Sequence, residues 1–294
     1  MAGPILPRSE TDPTGTDPAE RRAMADFDRR MRRVARLYLD ALAGVTYTRV
    51  TINASRYDFD LNPTILANLL AEIEASVDRI LLEGGQDALW FTVGYVVPSY
   101  EAGTAANWRN LGTQSERYAA ARPTLQSILT SAPYQTRIGY LAAREFENMK
   151  GLSDTVKTQM GRILTDGFAQ GLNPRDVAVQ LRDQAGIEQR RGHRIARTEI
   201  PNALRQARLD EAQQASTDFG IRSKEMHFSA LSPTTRASHA ARHGTLHNSQ
   251  DQRAWWSVDG NSINCKCSSI TVLVDDKGEP LDPTVVERIK AMRG

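Results

Sequence analysis

Residues Met226 to Ile270 read MHFSALSPTTRASHAARHGTLHNSQDQRAWWSVDGNSINCKCSSI. This stretch decides the fold because the hydrophobic period changes at its edge. Ahead of Gly220 the apolar residues recur at three- and four-residue steps, the period of a buried helical stripe. Beyond it, Ile221 to Phe228 and Ser268 to Val274 alternate as strands do. Between them Pro233 to Arg242 suits a short helix. The stretch also holds four of the five histidines and both cysteines of the chain. Scarce, versatile side chains gathered in one segment imply a site or a pinned fold.

Working outward, the C-terminal side closes with a turn at Asp275 to Gly278 and a helix over Pro283 to Met292. On the N-terminal side, Pro18 to Ala43 reads as a helix stopped by Gly44. Met24, Phe27, Met31, Val34, Leu37 and Ala41 form its stripe, and Arg21, Arg22, Arg29, Arg30, Arg32, Arg33 and Arg36 give it a basic face. Tyr47 to Ile52 suits a short strand before a polar loop. Asn62-Pro63 opens a helix to about Leu82, with a polar cap and Pro at the first position. A helical region from Asp87 to Ala121 is expected to kink near Gly94 and Pro98. Arg122-Pro123 and Ala132-Pro133 punctuate the next helices, and Tyr134 to Met149 closes a helical half.

The second half is expected to open near Leu152, with Ser153 capping a helix that Gly171 ends. Asn173-Pro174 starts another over Val177 to Ala185. A third, Glu188 to Ala215, is expected to kink or split at Pro201. The fold class is therefore mainly α, a helical N-terminal half followed by a small α+β C-terminal domain. The division is a disordered leader over residues 1–19, a helical domain over 20–150, and an α+β domain over 151–294.

Composition narrows the function. A formal net charge of +2 argues against coating nucleic acid by bulk charge, leaving only a local patch for that role. With no run of about eighteen apolar residues, no segment is expected to span a bilayer. The Pro-, Gly-, Thr- and Asp-rich leader lacks the apolar core of a signal peptide. Two cysteines are too few for a disulfide framework, which points to folding in the cytosol of the producing cell. The local patch is Arg190, Arg191, Arg194, Arg205 and Arg208, which could face the phosphates of double-stranded DNA without reading its sequence. The competing reading is a solvated helix face.

The candidate site residues are His239, His243, Cys265 and Cys267. A helix places His239 and His243 on one face, with His247 near enough to fold back, and a strand points both cysteines to one side. Two histidines and two thiolates are the number of ligands that structural zinc requires, although the single-residue spacing of the cysteines is not that of zinc ribbons. The alternative makes the cysteines small buried hydrophobes and the histidines hydrogen-bonded core residues. An enzyme reading, a metal-dependent enzyme acting on nucleic acid around the same four residues, lacks acidic ligands: only Asp251 and Asp259 lie between His227 and Cys267. Trp255-Trp256, read as part of a loop, is expected to put one ring in the core and one toward a partner.

From Leu152 to Ile270 the residues resemble the head morphogenesis family of tailed bacteriophages, minor capsid proteins similar to phage Mu protein F. The resemblance rests on Ile195-Ala196-Arg197-Thr198-Glu199, the alanine-rich continuation to Ala215, Gly220, a strand carrying Lys224, Thr235-Arg236 with His239, Gly244, and Asn264-Cys265-Lys266-Cys267. The family typically has Arg where Lys266 stands, an aromatic at Met226, and an acid near Ser232. The resemblance implies a virion structural component rather than an enzyme. It would be made in the host cytoplasm, act in capsid assembly and DNA packaging at the portal or capsid interior, and have the portal protein or major capsid protein as partner. No cofactor is implied, zinc being the minority option. Arg197, Glu199, Arg236 and His239 would be fold-fixing polar contacts, with Arg197 buried against a carboxylate and Glu199 beside a basic neighbour.

Overall fold

The computed structural model describes residues 3–50 and 56–292. It is mainly α with an α+β region toward the C-terminus. In chain order the elements are α1 (Asp17–Gly44), β1 (Tyr47–Arg49), β2 (Tyr57–Phe59), α2 (Pro63–Leu81), a π-helical turn (Thr92–Val96), α3 (Val97–Gln114), α4 (Glu116–Ala121), α5 (Leu125–Leu129), α6 (Ala132–Gln170) and α7 (Pro174–Phe219). Next come β3 (Ser223–Phe228), α8 (Ala237–Ala241), β4 (Leu246–His247), α9 (Ser249–Ser257), β5 (Ser268–Leu273) and α10 (Pro283–Ala291). None of the helices among the described residues is long and apolar enough to cross a membrane.

Contacts gather the chain into two compact units that no single cut in the sequence separates. One comprises residues 22–92 and 141–195; the other comprises 1–21, 93–140 and 196–294. The long helices α6 and α7 each supply residues to both.

In the first unit, α1 buries Phe27, Met31, Val34, Tyr38 and Leu42. The stripe thus follows the helical period, with Tyr38 and Leu42 taking the last two turns in place of Leu37 and Ala41. Asn62 caps α2 by accepting from the Ile65 N–H at 2.9 Å, and Pro63 occupies the first turn, where its missing donor costs nothing. The strand at Tyr47 pairs antiparallel with β2, Tyr47 opposite Phe59; Thr51 and Ile52 lie outside the described residues. Two expected helix breaks are absent here. Helix α6 runs unbroken through Gly151, and the Ser153 hydroxyl, instead of capping, donates to Asp78 Oδ1 at 2.7 Å. Helix α7 likewise runs through residues 186–188. Burial of Val156, Met160 and Leu164 in α6 and of Val177, Leu181 and Ala185 in α7 outweighs the local breaker signals.

The second unit is built on a three-stranded antiparallel sheet, order β4-β3-β5. Its register sets Met226 opposite Ile270 and His227 opposite Ser269. Because successive side chains alternate, one face carries Met226, Phe228, Ile270 and Val272, which form an apolar core with Val286 and Ile289 of α10. The opposite face carries Glu225, His227, Ser269 and Thr271, all buried. The outer edge of β5 is covered by α3. Asn110 and Gln114 donate to the Thr271 carbonyl at 2.7 and 3.0 Å, and the Leu273 N–H donates to Gln114 Oε1 at 3.1 Å. Such pairing removes an open strand edge.

Helices α3 and α7 approach closely at Gly103, where a Cβ would lie 2.3 Å from the Leu204 carbonyl oxygen. Ser99 donates to the Ile200 carbonyl at 2.7 Å and Tyr100 to Asp210 at 2.5 Å. Helix α7 continues through Pro201 rather than splitting there. The expected kink near Gly94 and Pro98 takes the form of the π-helical turn ending at Val96, a widening that accommodates a proline without an N–H donor.

Residues 3–16, whose composition suggests disorder, carry specific contacts. The Ile5 N–H donates to Asn110 Oδ1 at 2.8 Å, and Thr14, Thr16 and Glu20 form a buried chain of hydrogen bonds. Composition counts the polar residues of such a segment, but not the partners they reach.

Candidate functional site

The polar face of the sheet meets His239 of α8 and Cys265 and Cys267, which lie in the segment just ahead of β5 rather than on the strand itself. Helix α8 delivers His239, and it is only five residues long. It ends before His243, so the i, i+4 pairing expected of His239 and His243 does not form. The His243 N–H closes a turn onto the Ala240 carbonyl, and Nδ1 of its ring accepts from the Ser229 N–H at 3.1 Å. Gly244 comes next with φ +74 in a turn against α10, where a Cβ would sit 2.9 Å from the Lys290 backbone nitrogen. That turn returns the chain to β4, so His247 joins the sheet opposite Glu225, its Nε2 2.7 Å from Thr245 Oγ1.

His239 Nδ1 lies 3.4 Å from Cys265 Sγ and 3.6 Å from Cys267 Sγ. All three residues are buried. A fourth residue joins them that helical spacing could not reveal. His227 comes from the polar face of β3, and one nitrogen of each of the two rings lies with Cys267 Sγ inside a 4.8 Å group. Strand alternation was the available signal: Met226 and Phe228 claim one face, which sends His227 to the other. The His227 ring is held by Gln252 Nε2, 3.0 Å from its Nδ1, and by Trp255 and Trp256 at 5.0 and 5.6 Å between centroids. The tryptophan pair therefore belongs to helix α9, not to a loop. Trp256 is buried, and Trp255 stacks edge-on against His239 at 4.6 Å.

Burial holds His227 well below its usual range, and the Arg242 cation adds to the effect. Hydrogen bonding to Cys267 stabilises the Cys265 thiolate, and His239 and the Arg205 guanidinium help, so Cys265 is held far below the ordinary thiol range. The same contact and burial push Cys267 up.

Two arginines assigned to a nucleic-acid face turn out to build this site. Arg205 is fully buried and donates from Nη1 to the carbonyls of Cys265 at 2.8 Å and Cys267 at 3.2 Å, with its guanidinium 4.9 Å over Trp256. Burial pulls its pKa down, while the two thiols and Glu199 oppose that pull. Arg208 is half-buried and donates to the Ser269 carbonyl at 2.7 Å; burial pulls it down to about 10, opposed by Glu225. Arg205 is not available to DNA, and Arg208 is held by the Ser269 carbonyl. Their spacing of three places both on one helical face, and that face points into the protein. Arg190 and Arg194 are exposed and Arg191 is half-buried, 3.8 Å from Glu188.

Of the residues expected to fix the fold, Arg236 donates to the carbonyls of Gly260, Asn261 and Ile263 at 2.9, 3.0 and 3.0 Å, clamping the loop before the cysteines. Thr198 accepts from the Asn264 N–H at 3.2 Å. Arg197 is exposed rather than buried, because helical rotation sets it outward while Ala196 and Ile200 face in. A small cavity of about 80 Å³ reaches the cysteines, bounded by Ser232, Thr234, Thr235 and Arg236.

Residues 158–270 match the family model described as Phage Mu protein F like protein. A protein of Haemophilus influenzae (strain ATCC 51907 / DSM 11121 / KW20 / Rd) named "Uncharacterized protein" is 26% identical over 153 residues, which cover 51% of this chain and 32% of the relative. The chain thus spans about a third of the length of that curated relative. No solved structure matches. The matched segment runs from within α6 to Ile270 of β5 and takes in both arginine anchors, the His and Cys cluster, and the Arg236 clamp: it is a phage Mu protein F-like region.

Proposed function

We propose that the chain is a structural component of a tailed-phage head, a minor capsid protein acting in head morphogenesis. The observation that carries this reading is the match of residues 158–270 to the phage Mu protein F-like family. The chemistry of that region agrees with it. Arg205, Arg208, Arg236 and Thr198 are committed to backbone groups between Gly260 and Ser269. Side chains used in this way fix a shape, as an assembly part requires. Its place is the portal vertex or capsid interior, its partner the portal protein or the major capsid protein, and its role structural rather than enzymatic.

Contact with packaged double-stranded DNA falls to other arginines than Arg205 and Arg208. In the unit that holds residues 22–92 and 141–195, Arg190 and Arg194 of α7 are exposed, as are Arg22, Arg32, Arg33 and Arg36 of α1. The two helices are joined there by Asp28, which accepts from Gln189 Nε2 at 2.8 Å and lies 2.5 Å from His193 Nε2. Phosphate contacts of this type read no sequence.

The test is particle assembly with and without the chain. The expected result is that purified heads contain it, in fewer copies than the shell protein, and that removing it yields defective or unfilled heads. Normal infectious heads formed without it overturn the proposal, as does its absence from purified particles.

A further inference from the structure

We propose that Cys265, Cys267 and His239 form a binding site for one thiophilic divalent cation of the zinc class. His227 would act as a supporting hydrogen-bond donor, and the fourth coordination position would open to the small cavity. The geometry is the first argument. With a Zn–S bond of about 2.3 Å and a Zn–N bond of about 2.0–2.1 Å, tetrahedral coordination sets sulfur and nitrogen about 3.5 Å apart. His239 Nδ1 stands 3.4 and 3.6 Å from the two sulfurs. A single S–H···N hydrogen bond has a similar spacing, but one imidazole nitrogen can take only one such bond, whereas a shared cation places both sulfurs at this distance at once.

The second argument is how the ligands are held. Arg205 fixes the carbonyls of Cys265 and Cys267 from one side, and Arg236 clamps the loop leading into them. Trp255 lies against the His239 ring. The backbone of both cysteines and the ring of His239 are therefore held by groups outside the cluster, while His239 Nε2 has no hydrogen-bond partner among the described residues.

The third argument assigns His227 its place. Arg242 can only donate, and its Nη2 lies 3.0 Å from Gln252 Oε1. Gln252 must then present its NH₂ to His227 Nδ1, which accepts. This leaves the proton of His227 on Nε2, a buried atom without a hydrogen-bond partner among the described residues. A protonated nitrogen cannot ligate, but it can donate to a metal-bound thiolate, and Cys267 Sγ belongs to the same 4.8 Å group. The coordination set is thus two thiolates and one imidazole. A fourth ligand enters from the cavity of about 80 Å³ beside Ser232, Thr234 and Thr235, which has room for a water molecule. Metal binding displaces the thiol protons to solvent and changes no oxidation state.

The test uses the full-length chain, purified under reducing conditions and titrated with Co²⁺. The expected spectrum shows tetrahedral d–d bands and a thiolate-to-cobalt charge-transfer band, saturating at about one equivalent and bleached by Zn²⁺. The Cys265→Ser and Cys267→Ser variants should each lose about half of the charge-transfer intensity, because each supplies one thiolate. Added imidazole should shift the d–d bands by taking the open position. Should the variants fail to fold, the wild-type chain decides alone: a thiol reagent should release its bound Zn²⁺ to a colorimetric chelator as the two cysteines react. Folded wild-type chain that takes up no Co²⁺ or Zn²⁺ overturns the proposal. So does a charge-transfer band that survives in the double cysteine variant, or a spectrum indifferent to imidazole.

Discussion

Helix α7 carries six arginines between Arg190 and Arg208, and its two stretches use them in opposite ways. Arg190, Arg194 and Arg197 are exposed, whereas Arg205 is buried and Arg208 half-buried, and each donates from Nη1 to carbonyls between Cys265 and Ser269. One residue type at similar density thus serves as a solvated charge in one stretch and as an internal clamp in the other. What separates them is the partner. A buried guanidinium needs fixed acceptors to offset its desolvation; the carbonyls of Cys265 and Cys267 satisfy Nη1 of Arg205, while its Nε and Nη2 have no hydrogen-bond partner among the described residues.

The sharpest way to break this contrast is Arg205→Ala. It leaves two buried carbonyls unpaired and a void over Trp256, and should cost about 3–5 kcal/mol in chemical denaturation. A loss below about 1 kcal/mol would mean that the clamp adds little beyond its volume. Arg208→Ala should cost less, about 2–3 kcal/mol, since it removes one firm backbone bond and the cation facing Glu225. The pair should be non-additive because both arginines act on one strand segment.

Acidity offers a smaller lever on the buried end. Burial raises the Glu211 carboxyl, even though Tyr118 donates to it at 2.5 Å. A carboxyl raised in the folded state favours the protonated form, so its penalty is absent below the unfolded value and grows as pH rises through the folded one. Glu211→Gln should therefore gain stability relative to wild type as pH rises above the usual carboxylate range, with the two curves converging in acid. Parallel curves would show that Glu211 does not titrate across folding. The smallest effect on stability belongs to the exposed end: Arg190→Ala with Arg194→Ala should change it by no more than about 0.5 kcal/mol. The same double variant should lower the salt dependence of DNA binding by a slope of about 1.8, if each arginine meets one phosphate. An unchanged slope would remove these two from any DNA face.

The contrast also marks how far sequence reasoning reaches. Periodicity finds α1 and the strands β3 and β5, and the Asn62-Pro63 cap finds the start of α2, because these signals are local. It cannot tell Arg194 from Arg205, since the acceptors that bury Arg205 lie about sixty residues downstream. In the site, His239 and both cysteines are legible as a cluster. The choice of His227 over His243 is not, because it depends on α8 stopping at Ala241. Ser153 and Pro201 carried sound local signals for a cap and a break, and tertiary packing overrode both.

Lys266, seated between the two cysteines, donates to both carboxylate oxygens of Asp17 at 2.7 and 2.8 Å across a sequence separation of 249 residues. On a translating ribosome adding about 5–20 residues per second, Asp17 waits roughly 12–50 s before its partner is made. Throughout that interval the start of α1 must remain soluble without its anchor, and the charged, proline-rich sequence ahead of it suits such a wait. The segment between the two cysteines thus closes a loop spanning 249 residues, and this contact forms only after the intervening chain has been synthesised.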